Sequence, residues 1–326
     1  MAVLTPVWFA LGLVSMAHSD VGRPGMVNYI EGTVTLNGQT LSTQAVGKTE
    51  VAPRQFLETG QGRVEMLLLP GAFLRLDHNS SVEMITPSLT DTRVEVNKGQ
   101  AMVEVDQLQK ENHLGVVTNG VTTEIEKKGI YEFNADQPQV KVYDGEAVVQ
   151  LNDHDVKVKK GRELALAQAV DEKPQSFDRE AYSPLYDWSK VRSSYLAEAS
   201  ESAAQAFYAD GWDWYGPAWY WNPWYSSWAF VPGGGFFYNP FGFGFYGPAY
   251  AFYSAPFYGY RGFYGHHGFI GHGVTAGHGV TGSRGFRASP GPGFHGNAGF
   301  GGFRAGGGLH GGGFGGGGFH GGGGRR

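Results

Sequence analysis

Short runs of alternating apolar and polar residues, separated by turn dipeptides that end in glycine, fill residues 25–169. Alternation at every second position is typical of β-strands with one buried face, and glycine adopts the positive φ of a tight turn without strain. No helical period interrupts these runs. The pattern predicts one all-β domain, an antiparallel sandwich or rolled sheet of ten or more strands. The predicted turns are Asn37-Gly38, Pro70-Gly71, Lys98-Gly99, Asn119-Gly120, Asp144-Gly145 and Lys160-Gly161.

The alternation is clearest in five short runs, and one continuous apolar run stands among them. The run from Met66 to Leu69 predicts a strand that is buried on both faces. In the alternating runs, the charged residues are expected on the opposite face from the apolar ones. These runs are Thr33 to Leu36, Phe73 to Leu76, Ser81 to Met84, Arg93 to Val96 and Lys141 to Tyr143.

A polar linker at 170–186 precedes a predicted amphipathic helix at 187–208, which begins at Asp187 or at Ser183-Pro184. Apolar residues recur there at three- and four-residue steps, and no Gly or Pro interrupts them. We expect this stripe to pack on the β domain, with binding of a partner as the alternative. Its members are Trp188, Val191, Tyr195, Leu196, Ala199, Ala203, Ala206 and Phe207.

The rest of the chain differs in composition from the β region. Most of the 53 glycines of the chain follow Gly211. Residues 211–265 are dense in Trp, Tyr and Phe between Gly and Pro, and residues 266–326 are Gly/His/Phe/Arg low-complexity sequence. Ordering such a backbone costs about 1–2 kcal/mol per residue. We therefore predict a largely disordered tail without a core, although its rings should cluster or find a surface.

Charge divides the chain in the same place. No side-chain carboxylate follows Asp213, and the tail carries arginine as its only permanently charged residue, at 261, 284, 287, 304, 325 and 326. Six arginines spread over this length make a weak field, which argues against a nucleic-acid binder. The prolines and glycines of 213–261 also argue against a membrane helix, so no transmembrane span is predicted.

The N-terminal residues 1–19 predict a signal peptide. Residues 4–17 form an uncharged, largely apolar run that is too short to cross a bilayer, and it ends in small residues that suit signal peptidase. No Lys or Arg precedes Arg23, so only the α-amino group supplies the positive start. We expect an exported protein, periplasmic or at the cell surface; a buried N-terminal segment is the alternative.

Two glycine motifs resemble nucleotide-binding loops only by composition. Gly242 to Gly247 has the spacing of a dinucleotide fingerprint, but it follows no predicted strand and opens no helix. Gly47-Lys48-Thr49 resembles the end of a phosphate-binding loop, yet Ser42 stands where the first glycine is required. Neither motif predicts a cofactor.

The polar residues suggest no catalytic or metal site. The chain has no cysteine, which removes disulfides and thiolate chemistry. His78, His113 and His154 are isolated beside turn residues, where solvent exposure explains them. We predict a non-enzymatic protein with no catalytic, cofactor-binding or metal residues. The seven tail histidines permit only adventitious metal binding; they are His266, His267, His272, His278, His295, His310 and His320.

The order of motifs in the β region resembles the FecR-type domain over residues 26–168. The likeness begins at 57–80, LETGQGRVEMLLLPGAFLRLDHNS, with its threonine-glycine, strand, proline-glycine turn and Asn-Ser. It continues through Val96 to Gly99, Gly129 to Phe133, Val142 to Val148 and Lys160 to Glu163. The resemblance implies a β-rich periplasmic domain in proteins that sense an outer-membrane transporter and control a sigma factor through a cytoplasmic segment. This chain shows neither a cytoplasmic module nor a spanning helix, and is similar instead to stand-alone exported FecR-domain proteins with aromatic, glycine-rich tails.

These observations favour a cell-envelope binding or scaffolding module with an adhesive aromatic tail. Its expected partners are an envelope protein or polysaccharide, together with other copies through the tail. The alternative is a FecR-like signalling regulator that senses an outer-membrane transporter and influences a sigma factor pathway.

Overall fold

The computed structural model describes residues 22–151, 154–166, 173–210 and 216–251. All of them lie in the compact unit Met1–His266; the second unit, His267–Arg326, lies outside the described residues. The same is true of the predicted signal peptide and of the tail histidines. The strands of the main sheet are β1 Val27–Leu36, β2 Gln39–Thr40, β3 Phe56–Leu69, β4 Ala72–Leu76, β5 Ser81–Pro87, β6 Asp91–Lys98, β7 Gln100–Val105, β8 His113–Thr118, β9 Val121–Ile125, β10 Gly129–Asn134, β11 Gln139–Asp144, β12 Glu146–Leu151, β13 His154–Lys159, β14 Arg162–Ala165 and β15 Gln175–Ser176.

The long strand β3 divides this fifteen-stranded sheet into two arms. Its first residues pair with β5, its last residues pair with β4, and β1 runs along its other edge. Arm A follows from β5 through β6, β8, β9 and β12 to β13; arm B follows from β4 through β7, β10, β11 and β14 to β15. The predicted all-β fold of ten or more strands, a sandwich or rolled sheet followed by one helix, is confirmed.

One pairing departs from the expected antiparallel arrangement, because β6 and β8 are parallel, with Asp91 opposite His113 and Val96 opposite Thr118. Between these two strands the chain visits arm B as β7 and then returns. A strand pair joined through another layer runs parallel when the chain re-enters the sheet at the same end. The sheet is therefore mixed.

The glycine of every predicted turn dipeptide has positive φ, as expected. Asn37-Gly38, Pro70-Gly71 and Asn119-Gly120 join strands that pair with each other. Asp144-Gly145, predicted to be a hairpin, instead links β11 in arm B to β12 in arm A, and those strands pair with other neighbours. Lys98-Gly99 and Lys160-Gly161 likewise carry the chain between arms. A dipeptide specifies a tight local turn, but not whether the strands beyond it pair.

The arms enclose a single apolar core. Its members come from the apolar positions of the alternating runs in both arms, such as Val94 and Val116 in arm A and Val103 and Phe133 in arm B. The continuous run Met66 to Leu69 is fully buried, as predicted. Met66 packs into this core, whereas Leu67 belongs to a second cluster on the other side of the sheet. Arm B is thus covered on both faces.

The outer face of arm B is covered by helix α1, Pro184–Asp210. The helix begins at Ser183-Pro184, where the Ser183 hydroxyl accepts a hydrogen bond from the Tyr186 amide at 3.3 Å. The predicted apolar stripe is wrong in part, because Val191 and Tyr195 are 53% and 40% exposed. Arg192 and Ser193 are buried instead, since the strands beneath present charged partners to them.

Residues 216–251, predicted to lack a core, contain two ordered hairpins. Strands β16 Ala218–Asn222 and β17 Ser227–Val231 form the first, and β18 Phe236–Tyr238 and β19 Gly244–Tyr246 form the second. Their rings pack against arm B and α1, with Trp219 and Phe230 fully buried. The hydrophobic burial that offsets backbone ordering comes from the neighbouring sheet, which composition cannot reveal. The rest of the predicted disordered tail lies outside the described residues.

Among the described residues, no helix combines the length and apolarity needed to cross a membrane.

Candidate functional site

Two acidic side chains and one basic side chain lie side by side on the outer face of arm B. Glu65 of β3 and Arg75 of β4 are cross-strand partners, and Glu104 lies on the adjacent strand β7. Arg75 Nε donates to Glu65 Oε2 at 2.8 Å, and Arg75 Nη1 lies 2.6 Å from Glu104 Oε2. All three side chains have 0% exposure. The guanidinium therefore bridges two carboxylates out of contact with water.

The C-terminal extension supplies further donors to these carboxylates. From α1, Arg192 Nη2 donates to Glu65 Oε1 at 3.0 Å and Ser193 Oγ donates to Glu104 Oε1 at 2.6 Å. Asn239, between β18 and β19, donates to the same Glu104 oxygen at 2.7 Å. The Arg192 guanidinium also lies over the Tyr29 ring, 4.0 Å from its centroid. The helix and the second hairpin are thus held on arm B by hydrogen bonds to ionised groups, which are stronger than hydrogen bonds between neutral groups.

Asn28 of β1 joins the first hairpin to the same group. Its amide nitrogen donates to Glu65 Oε1 at 2.9 Å and to the Trp228 carbonyl at 3.2 Å. Its amide oxygen accepts from the Trp228 amide at 2.7 Å. The side chain thereby pairs with the hairpin backbone as a neighbouring strand would.

Glu65 and Arg75 each keep the other in its charged form. Burial by itself raises the pKa of Glu65, but the charges and hydrogen bonds of Arg192 and Arg75 outweigh it, and the pKa lies below its usual value. Burial alone would lower the pKa of Arg75, yet Glu104 and Glu65 raise it. Both groups stay ionised inside the protein because each stabilises the charge of the other.

Asp106 has the opposite environment. It is buried just after β7, and burial together with the nearby charge of Glu104 raises its pKa well above the usual aspartate value. Neither carboxyl oxygen accepts a hydrogen bond from the described residues. Asp106 therefore keeps its proton to a higher pH than an exposed aspartate does. We call Glu65, Arg75, Glu104, Asp106 and Arg192 the charge network.

The turn of the first hairpin carries a separate aromatic surface. Trp224 is 87% exposed and its neighbour Tyr225 is 38% exposed; we call these two residues the aromatic ledge. Beside them, a groove of about 160 Å³ opens between α1 and the hairpin. Its walls include Ser202, Ala206, Trp221, Pro223 and Trp224. An exposed indole beside an apolar groove can contact a partner on two sides.

A larger and more polar cleft of about 510 Å³ lies on arm A, beside β8 and β9. Arg93 lines it, and its guanidinium lies 2.9 Å from Asp91 Oδ1 and 2.8 Å from Glu124 Oε1. It reaches Glu124 across Gly115, where an added Cβ would lie 3.1 Å from Arg93 Nη1. The cleft contains both charge signs and several amides, so its chemistry selects no ligand class.

The histidines considered from the sequence remain apart. His78 lies in the turn after β4, His113 begins β8 and His154 begins β13; all three are exposed. Within the described ranges, no three His, Asp or Glu side chains cluster in a way that could hold a metal ion.

The two glycine motifs have structural roles. Gly242 lies with φ +91° in the turn between β18 and β19, so the motif runs through the second strand of a hairpin. Gly47 follows a 3-10 helix, Thr43–Ala45, and a Cβ there would lie 2.2 Å from a ring atom of Trp221. This glycine is therefore required for the close approach of the first hairpin.

The charge network was missed by the sequence reasoning, which assigned the polar positions of the alternating strands to solvent. The available signal was Arg75 between Leu74 and Leu76, and Glu65 directly before a doubly buried run. A charged residue on the polar side of a strand is equally compatible with an exposed face and with a face covered by another layer. The sequence signal therefore did not distinguish the two.

Comparisons with known proteins agree with the β region. Residues 55–148 match the sequence model of the FecR family, described as FecR protein. This match lies within residues 26–168, the region that resembles the FecR-type domain. No curated protein matches the chain. Two crystal structures of a candidate anti-sigma factor from Parabacteroides distasonis ATCC 8503 show 15% and 14% identity and TM-scores of 0.33 and 0.34. They cover 38% and 41% of this chain, which spans 61% and 64% of theirs.

Proposed function

We propose, on the premise that residues 55–148 are a FecR-type domain, that this protein acts in the cell envelope by binding partners and not by catalysis. FecR-type domains are associated with regulators of the envelope. The apolar run at residues 4–17 supports export. The fully buried charges Glu65, Arg75 and Glu104 are paired with each other, and Glu65 also binds Arg192 of the C-terminal extension.

The observation that carries this proposal is the aromatic ledge. Trp224 exposes 87% of its surface at the tip of the first hairpin. The Trp228 backbone of that hairpin is hydrogen-bonded to Asn28, which donates to Glu65 of the charge network. Large aromatic side chains bury extensive area and can stack or accept cations, so an exposed one on a fixed support suits binding. The ledge is therefore the surface through which the envelope partner is contacted.

Retention of the full chain on washed envelope fractions tests this role. Trp224→Ala combined with Tyr225→Ser should reduce retention about tenfold or more, since aromatic anchors contribute about 2 kcal/mol or more at binding surfaces. Tyr182→Ala is the matched control, because Tyr182 is 82% exposed but lies before α1. Equal retention of the ledge variant and the control would refute the proposal.

The tail is proposed to add adhesion to envelope protein or polysaccharide and self-association. Because residues 216–251 are folded onto arm B, the adhesive part is assigned to the aromatic residues beyond Ala251. Replacing the tail phenylalanines by serine should lower retention and any oligomer seen by ultracentrifugation; unchanged values would exclude the tail. These are Phe252, Phe257, Phe263, Phe269, Phe286, Phe294, Phe300, Phe303, Phe314 and Phe319.

A second candidate function, a signalling regulator, is favoured by the FecR match itself. It predicts that affinity capture from envelope extract recovers an outer-membrane transporter or an anti-sigma partner. Recovery that survives Trp224→Ala would favour the regulator over ledge-based binding.

A further inference from the structure

The groove beside the aromatic ledge has the size of one aromatic ring. It measures about 160 Å³ and lies between Ser202 and Ala206 of α1 and Trp221 and Trp224 of the hairpin. An engineered protein cavity of about 150 Å³ binds benzene. The groove is open on one side, so a ring can enter it while the rest of its chain stays outside.

Two carboxylates on α1 immediately precede the helical residues that line this groove. Glu198 is one turn before Ser202, on the same side of the helix, and Glu201 directly precedes it. Burial raises the pKa of both, and the charge of Glu198 raises that of Glu201 further. Burial raises the pKa of Tyr225, and the charges of these two glutamates raise it further.

Neither glutamate has a cationic partner in the described part of the chain. The ion pairs formed there involve other carboxylates. Glu201 only accepts a hydrogen bond from Gln205 Nε2 at 3.2 Å. Glu198 is exposed and Glu201 is half-buried. Two like charges three residues apart on a helix repel each other, and an arriving cation relieves that repulsion.

The net charge of the residues up to Asp213 also favours a cationic partner. The chain carries a net charge of −5 and residues after Asp213 carry +6 from arginine, so the residues up to Asp213 carry −11. A surface with an excess of one sign attracts ligands of the opposite sign and accelerates their association.

We infer that the groove binds a segment of a basic partner protein in which an arginine or lysine stands next to an aromatic residue. The aromatic ring fills the groove, and the cation lies between Glu198, Glu201 and the face of Trp224. A neutral glycan would stack on the indole but leave both carboxylates without a counterion, and an anionic membrane would be repelled. The inference names the partner of the aromatic ledge and so rests on the proposed function.

Fluorine NMR of the full chain labelled with 5-fluorotryptophan tests this inference. The Trp224 signal is assigned with Trp224→Phe, and the probe is the blocked peptide acetyl-Gly-Phe-Arg-Gly-amide. We expect a saturable shift of the Trp224 signal. Peptides with Gln in place of Arg, or Ala in place of Phe, should each bind about tenfold more weakly, as expected for losing a cation–π contact with its ion pairs or a buried ring.

The variant Glu198→Gln/Glu201→Gln should weaken the arginine peptide about tenfold, while Glu111→Gln/Glu126→Gln, two exposed carboxylates outside the groove, should not. Equal affinity for the arginine and glutamine peptides, or a Trp224 shift produced by cellotetraose and not by the peptide, overturns the inference. If the peptide fails while envelope retention still depends on Trp224, the inference is wrong and the proposed function stands. If the peptide binds but retention ignores Trp224, the proposed function fails.

Discussion

Arm B is buried on two faces, and the contacts on the two faces differ. Its inner face packs Leu74 and Val103 against arm A in an apolar core. Its outer face has apolar contacts too, through Leu67 and Phe73, but it also presents the buried charges of the network to the C-terminal extension. Apolar packing is insensitive to the identity of individual partners, while buried ions must each be matched. The inner face therefore holds the β domain together, and the outer face specifies which segment can cover it.

The largest expected effect is the loss of the central ion. Arg75→Met should lower the free energy of unfolding by about 3–5 kcal/mol, because Glu65 and Glu104 are left facing each other without the bridging charge. Urea unfolding of the full chain measures it. Arg93→Met is the control, since that arginine forms partly exposed pairs and should cost about 1 kcal/mol or less. A small effect of Arg75→Met would mean that water readily enters the outer face.

The second prediction separates the two faces at adjacent residues. Leu74→Ala opens the inner core and should lower the free energy of unfolding by about 2–5 kcal/mol. Phe73→Ala removes the ring under the extension, so it should preferentially speed amide hydrogen exchange in α1. If both variants change exchange in the same segments, the extension and the β domain unfold as one unit.

The third prediction concerns Asp106 and pH. Its folded-state pKa is raised, so the folded protein keeps a proton that the unfolded chain releases. The contribution of Asp106 to the free energy of unfolding therefore falls as pH rises from the ordinary pKa of aspartate, about 3.9, to the pKa in the folded protein. Above that pKa the contribution is constant. Asp106→Asn should raise stability at neutral pH by about 1 kcal/mol or more and remove this slope, as measured by urea unfolding between pH 4 and 8. An unchanged slope would show that Asp106 is ionised in the folded protein.

The smallest effect is expected from one hydroxyl. Ser193→Ala removes the donor to Glu104 and should cost about 1 kcal/mol. Ser194→Ala next to it removes only a hydrogen bond to the Val191 carbonyl within the helix and should cost less. Thermal unfolding of both variants provides the comparison; equal losses would show that the network tolerates a missing donor.

Much of the β domain was predictable because its signals are local. The alternation of Arg93 to Val96, the positive φ of Asn119-Gly120 and the start of α1 at Ser183-Pro184 follow from a few neighbouring residues. The site was not predictable, because Glu65, Arg75 and Glu104 are brought together by strand pairing and are covered by α1, more than a hundred residues after Glu65.

Local residue patterns specify where the strands, turns and helix of residues 25–210 occur and which side of most of these strands is apolar. Long-range packing specifies that Asp144-Gly145 joins two arms, that Trp219 is buried and that Arg75 is enclosed. Backbone and pattern preferences act over a few residues, whereas burial depends on which distant segment covers a face. For arm B that segment is the chain's own aromatic extension.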